Sequence, residues 1–167
     1  MSEQFKKILS KIKTIDECNI LMNRYIDSNE SFYKMAFMKR CEIASLVNHD
    51  NKDPLIGELC GVVEAYSILL HEKHNKNYKP IKLLNQIAHL GGRESIELWM
   101  ASKDAKESFF NLILRGMPEY TFEYLTIRFK EIPDKNGKTF TTEQVLVAKK
   151  RLTDKGFDID LIEIYKS

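Results

Sequence analysis

The segment that begins at Asp53-Pro54 and ends near His74 constrains the fold more than any other part of the sequence. Its apolar residues recur every three or four positions from Leu55 to Leu70, which is the period of one face of an α-helix. An Asp can accept a hydrogen bond from the first free N–H groups of a helix, and a Pro in the first turn has no N–H to leave unpaired. The sequence therefore predicts a long helix near the centre of an α-helical fold.

The same period continues on both sides of this segment and is divided by capping residues and glycines. Thr14 to Glu17 and Thr141 to Gln144 each read as a capping box, in which two side chains pair with two unpaired backbone N–H groups. Gly91-Gly92, Gly116 and Gly156 are placed where helices end. Together these signals predict helices over about 5–12, 14–25, 31–47, 53–74, 80–90, 94–100, 104–115, 118–129 and 141–155.

About nine helices joined by short breaks indicate an all-α, compact multi-helix bundle, with stacked helical hairpins as the alternative. No sequence repeat of fixed period is present. One domain over residues 1–167 is expected, with a soft boundary near 48–53. The loop at 131–137 contains the turn signal Asn136-Gly137, and a small hairpin there is an alternative. The tail at 157–165 fits either a short strand or a final helical turn. Four aromatic side chains are expected in the C-terminal core: Trp99, Phe109, Phe110 and Phe122.

The overall charge is too balanced to imply a nucleic-acid or membrane partner. Lys and Arg number 26 against 24 Asp and Glu, which leaves a formal net charge of +2. No window approaches the roughly 18 uninterrupted apolar residues of a membrane span. Cys18, Cys41 and Cys60 are isolated from one another in the sequence, which favours buried thiols in a reducing compartment over a disulfide framework. We therefore expect a cytoplasmic protein with no membrane partner.

No catalytic or metal-binding motif has the spacing that its chemistry needs. His71 and His74 are three residues apart, whereas the zinc motif H-E-x-x-H separates its two histidines by four. An HNH nuclease needs a hairpin and a second His, and the region around His74 reads as helix, loop and helix. Asp158, Asp160, Glu163 and Lys166 lack the supporting sheet of a Mg²⁺-dependent nuclease. These observations predict a protein that is not an enzyme and that holds no metal and no cofactor.

One segment departs from the balanced charge, between His71 and Arg93. It carries five basic side chains, Lys73, Lys76, Lys79, Lys82 and Arg93, against the single acid Glu72. Lys79 immediately precedes Pro80, at a predicted helix N-terminus, where backbone N–H groups favour phosphate. Lysine and arginine around such a terminus are typical of nucleic-acid binding. The sequence predicts a phosphate-contacting patch of Lys76, Lys79, Lys82 and Arg93; the alternative is a solvated helix face.

Several short pieces of the sequence resemble a helical module found in uncharacterised bacterial proteins, some of which carry restriction-type or HNH nuclease domains. The matching pieces span most of the chain: Ile15–Cys18, Ala36 and Arg40, Glu64–Tyr66, Asn75-Lys76, Gln86-Ile87, Gly91, Gly116–Glu119, Phe122-Glu123 and Arg128. Over 78–83 this chain has lysines where that pattern is richer in Arg, Ser and Thr. The resemblance implies a nucleic-acid-associated or defence-related accessory role and no established activity.

Two functions follow from these features. The first is a non-catalytic helical binding module that contacts a DNA or RNA backbone. The alternative is a protein–protein interaction adaptor that binds no nucleic acid. The Tyr and Met side chains between Tyr25 and Met38 could serve the adaptor, although the helical spacing of these residues also fits a core.

Overall fold

The computed structural model describes residues 3–48, 53–75, 80–134 and 136–166, with side chains from residue 6 onward. The described parts contain nine α-helices and no strand, which confirms the predicted all-α class. The helices are α1 Glu3–Leu9, α2 Ile15–Tyr25, α3 Glu30–Val47, α4 Pro54–His74, α5 Ile81–Leu90, α6 Gly92–Ala101, α7 Lys103–Leu114, α8 Phe122–Arg128 and α9 Thr142–Thr153. Short 3₁₀ turns lie at Pro118–Tyr120 and Ile159–Leu161.

Side chains that precede the helices explain where many of them begin. Thr14 and Thr141 form the two capping boxes predicted from the sequence, with Glu17 and Gln144 as the returning side chains. Asp53 accepts a hydrogen bond from the backbone N–H of Leu55 at the start of α4. The tail contains a 3₁₀ turn at Ile159–Leu161. Of the two alternatives for the tail, the structure therefore shows the helical turn and not the strand.

Helix α4 forms the centre of the fold, as its sequence predicts. Thirteen of its 21 residues are buried, and α3, α5, α6, α7 and α8 pack around it. The α3–α4 contact is the closest, because a Cβ added to Gly61 would lie 3.0 Å from the carbonyl oxygen of Cys41. Helix α2 packs on the outer side of α3, and α8 pairs with α9. These contacts place α3 between two surface clefts, which are described below.

The length and apolar composition of α4 would also allow it to cross a membrane. However, 72% of its most apolar window is buried inside the fold. A helix at the centre of a helical core has the same composition, because apolar neighbours surround it on all sides. Among the described residues no other helix meets that criterion.

Two details differ from the sequence-based predictions. Gly92 does not end α5 but begins α6, so Gly91 alone, at a φ of 87°, separates the two helices. The segment after Pro118 is a 3₁₀ turn followed by a separate helix that begins at Phe122. The predicted soft boundary falls largely on residues 49–52, which lie outside the described residues.

The aromatic core is also smaller than predicted. Trp99, Phe109 and Phe122 are buried, and the ring centroids of Trp99 and Phe122 are 5.2 Å apart. Phe110, in contrast, is 44% exposed and was wrongly assigned to the core. Consecutive residues on a helix point about 100° apart, and here Phe109 faces the core while Phe110 points away from it.

Candidate binding surfaces

The structure describes two of the four predicted phosphate contacts, Lys82 and Arg93, and only Lys82 is at the surface. Lys76 and Lys79 lie outside the described residues. Lys82 is exposed in the first turn of α5, as a phosphate contact requires. Arg93 is only 2% exposed, so its guanidinium lies inside the protein and is not part of a surface patch.

The contacts of Arg93 explain its burial. Nη1 lies 3.4 Å from Oδ2 of Asp53, and Nη2 donates a hydrogen bond to the carbonyl oxygen of Ile132. The guanidinium carbon also lies 5.4 Å from the centre of the Phe140 ring. Lys73 is likewise engaged, in an ion pair of 2.6 Å with Glu107. The local excess of basic residues in the sequence is therefore partly neutralised within the fold.

A groove with methionines on its floor runs along one face of α3. Its wider end, about 520 Å³, is lined by Lys6, Leu9, Ser10, Met35, Met38, Lys39, Glu42 and Tyr120. Its narrower end, about 370 Å³, shares Glu42 and Tyr120 and continues past Glu58, Glu119, Tyr124 and Arg128 between α3, α4 and α8. We call these two adjoining cavities together the methionine groove. Met35 and Met38 are half-buried, so their thioethers both contact the fold and line open space.

The narrower end of the methionine groove contains more acidic than basic side chains. Glu58 accepts hydrogen bonds from Nε of Arg128, the nearer at 3.0 Å, and Glu42 pairs with Lys39 at 2.9 Å. Burial raises the pKa of Glu119, against the opposing charge of Lys34. Within the part of the chain that the structure describes, no ion pair involves Glu119. This carboxyl group is the acidic side chain of the groove that lacks a cationic partner there.

A second cleft lies on a different face of α3, where Glu30, Tyr33, Lys34 and Phe37 are spaced as one helical stripe. It has a volume of about 340 Å³, and its further walls are Ile26, Glu72, Arg115 and Met117. We call it the Arg115 pocket. A neighbouring cleft of about 430 Å³ shares Ile26, Tyr33 and Glu72 with it and extends towards Arg40 and His71.

Hydrogen bonds between three helices define the polar side of the Arg115 pocket. Arg115 donates from Nη1 and Nη2 to the two oxygens of Glu72, at 3.1 and 2.6 Å. The hydroxyl of Tyr33 donates a short hydrogen bond to Oε1 of the same carboxylate. Lys34 Nζ donates to the carbonyl oxygens of Arg115 and Gly116, at 2.8 and 3.1 Å. Burial and the Glu72 contact both raise the pKa of Tyr33, so its hydroxyl remains protonated.

Two further buried carboxylates serve to connect helices. Glu64 on α4 accepts a hydrogen bond from Nε of Arg40 on α3, at 2.6 Å. Glu123 on α8 accepts one from Nη1 of Arg151 on α9, at 2.9 Å. Burial raises the pKa of Glu123, and its Oε2 has no hydrogen-bond partner among the described residues. A carboxylate held by arginine in this way ties two helices together.

The cysteines and histidines form no cluster among the described residues. Cys18, Cys41 and Cys60 are free and buried, as predicted. Burial raises the pKa of Cys18 and of Cys60 to about 11, so both are thiols rather than nucleophilic thiolates at neutral pH. Across the described residues no group of three or more His, Cys, Asp or Glu side chains is placed to hold a metal ion.

The sequence indicates some of the residues that line these surfaces and gives no sign of the others. From the sequence, the Met side chains of α3 could either bind a partner or lie in the core. In the structure they are half-buried and line the methionine groove. The Tyr33–Glu72–Arg115 network was missed, because its members are 39 and 43 residues apart and carry no motif. A pattern of one helix face is visible in a sequence, but the pairing of two distant faces is not.

Three comparisons with known proteins give no match. No family model matches the sequence, no curated protein matches it, and no solved structure matches the fold.

Proposed function

We propose that this protein is a non-catalytic helical module that binds a partner protein in the methionine groove. The observation that carries the proposal is the apolar floor of half-buried Met35, Met38 and Tyr120 and buried Leu9, which opens to the surface beside α3. Methionine side chains adapt their shape to different apolar partners, and an apolar groove between helices is a common receptor for a partner segment.

The charges of the groove favour a basic residue in that partner segment. Glu119 has no ion-pair partner among the described residues, and Glu58 lies at the same end of the groove. A lysine or arginine that approached Tyr120 and Tyr124 would contact an aromatic ring and a carboxylate together. The proposed partner segment therefore carries apolar residues for the methionine end and a basic residue for the Glu119 end.

Among the described residues, three of the four Asp and Glu side chains whose pKa is raised by burial are paired, which supports a binding role rather than a catalytic one; the fourth, Glu119, lines the methionine groove. General acids and bases need a titratable group within reach of a substrate. Here Asp53, Glu58 and Glu123, whose pKa values are raised by burial, are each bonded to an arginine of another helix. Such pairs hold helices in place.

Affinity capture from host lysate, with and without nuclease treatment, tests the proposal. We expect the wild-type protein to retain a specific protein in both conditions. Met35→Glu, which places a charge on the groove floor, should abolish retention. Ile20→Glu is the matched control, because Ile20 is 67% exposed on α2 and does not line the groove. Equal loss with both variants, or retention that nuclease treatment removes, would contradict the proposal.

Nucleic-acid binding is the second candidate function, and Lys82 is the observation that favours it. This lysine is exposed in the first turn of α5, directly after the segment of the sequence that contains Lys76 and Lys79. Binding would be non-specific in sequence and steeply salt-dependent, because phosphate contacts release counterions. Arg93 is not part of this proposal, since it is buried.

Charge reversal tests this second candidate. We expect the triple variant K76E, K79E and K82E to weaken binding to DNA or RNA and to lower the slope of log affinity against log salt. A control with the same change in net charge reverses Lys11, Lys103 and Lys106, which are exposed elsewhere. Equal weakening by both variants would show that only net charge matters, and no binding of the wild type at low salt would exclude this function.

A further inference from the structure

We infer that the Arg115 pocket binds a small carboxylate that carries an apolar body, such as a medium-length aliphatic acid. The pocket uses a different face of α3 from the methionine groove, so this inference is independent of the proposed function. Its volume of about 340 Å³ lies within the usual range for small-molecule sites. As in most such sites, apolar walls meet a few polar groups that converge on one side.

The polar groups that line the pocket have unused hydrogen-bond donors and few free acceptors. The guanidinium of Arg115 carries five N–H donors, of which two bond to Glu72. Lys34 carries three, of which two bond to the carbonyl oxygens at the end of α7. Both oxygens of Glu72 already accept hydrogen bonds from Arg115, and Oε1 accepts one from Tyr33 as well. The remaining hydrogen-bond capacity therefore matches a ligand that accepts, and the charge of Lys34, which forms no ion pair among the described residues, favours an anion.

The charges on the rim do not cancel this preference. Glu72 is neutralised by its contacts with Arg115 and Tyr33. Glu30, the other acid that lines the pocket, is exposed to solvent, where water screens its charge. A carboxylate between Arg115 and Lys34 would accept charge-assisted hydrogen bonds, which are stronger than hydrogen bonds between neutral groups.

The rest of the pocket accounts for the apolar body. Phe37 and Met117 are each 1% exposed and line the base, and Ile26 lies at the rim. A chain of methylene groups that packs against these side chains would be removed from contact with water, and Met117 can adapt to the shape of that chain. An inorganic anion would gain the polar contacts but none of this apolar contact.

Calorimetric titration of the wild-type protein with octanoate, 1-octanol and octylamine tests the inference. We expect saturable binding of octanoate, with 1-octanol weaker by about tenfold or more, which is the usual effect of losing a charge-assisted hydrogen bond. Octylamine, whose ammonium meets Arg115 and Lys34, should bind more weakly still. Equal affinity for octanoate and 1-octanol, or no binding of octanoate, would overturn the inference.

Three variants place the binding in this pocket. Lys34→Gln and Arg115→Gln should each weaken octanoate binding. Glu72→Gln should strengthen it several-fold, because it removes the internal carboxylate that competes for Arg115 while the shape of the side chain is kept. Glu97→Gln, an exposed position on α6, is the control and should change nothing. Circular dichroism establishes that each variant is folded; if Arg115→Gln unfolds, Lys34→Gln and Glu72→Gln decide. Affinity that is unchanged in Lys34→Gln and Glu72→Gln would overturn the assignment to this pocket.

Discussion

Arg93 of α6 and Asp53, the residue that caps α4, form a buried ion pair with 3.4 Å between Nη1 and Oδ2. Asp53 also accepts a hydrogen bond from the backbone N–H of Leu55. One carboxylate thus begins the central helix and fixes the position of α6 against it. Because Arg93 also bonds to the carbonyl oxygen of Ile132, the loop after α8 joins the same contact.

Replacement of Arg93 by alanine should therefore lower the free energy of unfolding strongly. The change leaves Asp53 buried without its cation, and breaking a buried pair in this way costs about 3–5 kcal/mol. Lys82→Ala removes an exposed cation from the same predicted patch and should change stability by less than about 0.5 kcal/mol. Urea denaturation of the two variants measures both effects. Similar losses in the two variants would contradict the burial of Arg93.

The position of Arg93 also shows why the fold could be predicted from sequence more fully than the surfaces. Helix period and caps are local signals, so α4 and the capping boxes at Thr14 and Thr141 are found where the sequence places them. The fate of a charged side chain depends on which distant residue meets it. Asp53 and Arg93 are 40 positions apart, and nothing between them in the sequence indicates their contact.

The neighbouring residues Phe109 and Phe110 should differ sharply in their contribution to stability. Phe109 is 6% exposed, and its replacement by alanine should cost about 3–5 kcal/mol. Phe110 is 44% exposed and contacts Nζ of Lys155 at 4.9 Å from its ring centre, so its replacement should cost about 1 kcal/mol or less. Thermal and urea unfolding of the two alanine variants measure the difference. Equal costs would show that both rings are in the core.

Two adjacent threonines at the start of α9 allow the capping box to be tested by substitution. Thr141→Ala removes the oxygen that accepts from the backbone N–H of Gln144, which should cost about 1 kcal/mol. Thr142→Ala changes the first residue inside the helix, which is exposed, and alanine has the higher helix propensity. That control should be neutral or slightly stabilising. A loss in Thr142→Ala as large as that in Thr141→Ala would contradict the capping geometry; urea denaturation separates the two.

The pH dependence of stability should carry the signature of Glu123. Burial raises its pKa in the folded state above the ordinary value of 4.5. The stability that comes from its protonation is therefore complete below that ordinary value and is lost as the pH rises through the folded-state pKa. Glu123→Gln keeps an oxygen for the hydrogen bond from Arg151 but does not titrate. The stability of the wild type relative to Glu123→Gln should thus be greatest in acid and decline towards pH 7.

Glu17 supplies a comparison of opposite sign. Hydrogen bonds from the backbone N–H groups of Lys13 and Thr14 lower its pKa in the folded state. The stability that the ionised Glu17 contributes is therefore present above the ordinary pKa of 4.5 and is lost as the pH falls through the folded-state pKa. The stability of the wild type relative to Glu17→Gln should rise with pH, whereas relative to Glu123→Gln it should fall. Urea denaturation at several pH values between about 3 and 7 measures both differences, and two slopes of the same sign would contradict the buried position of Glu123.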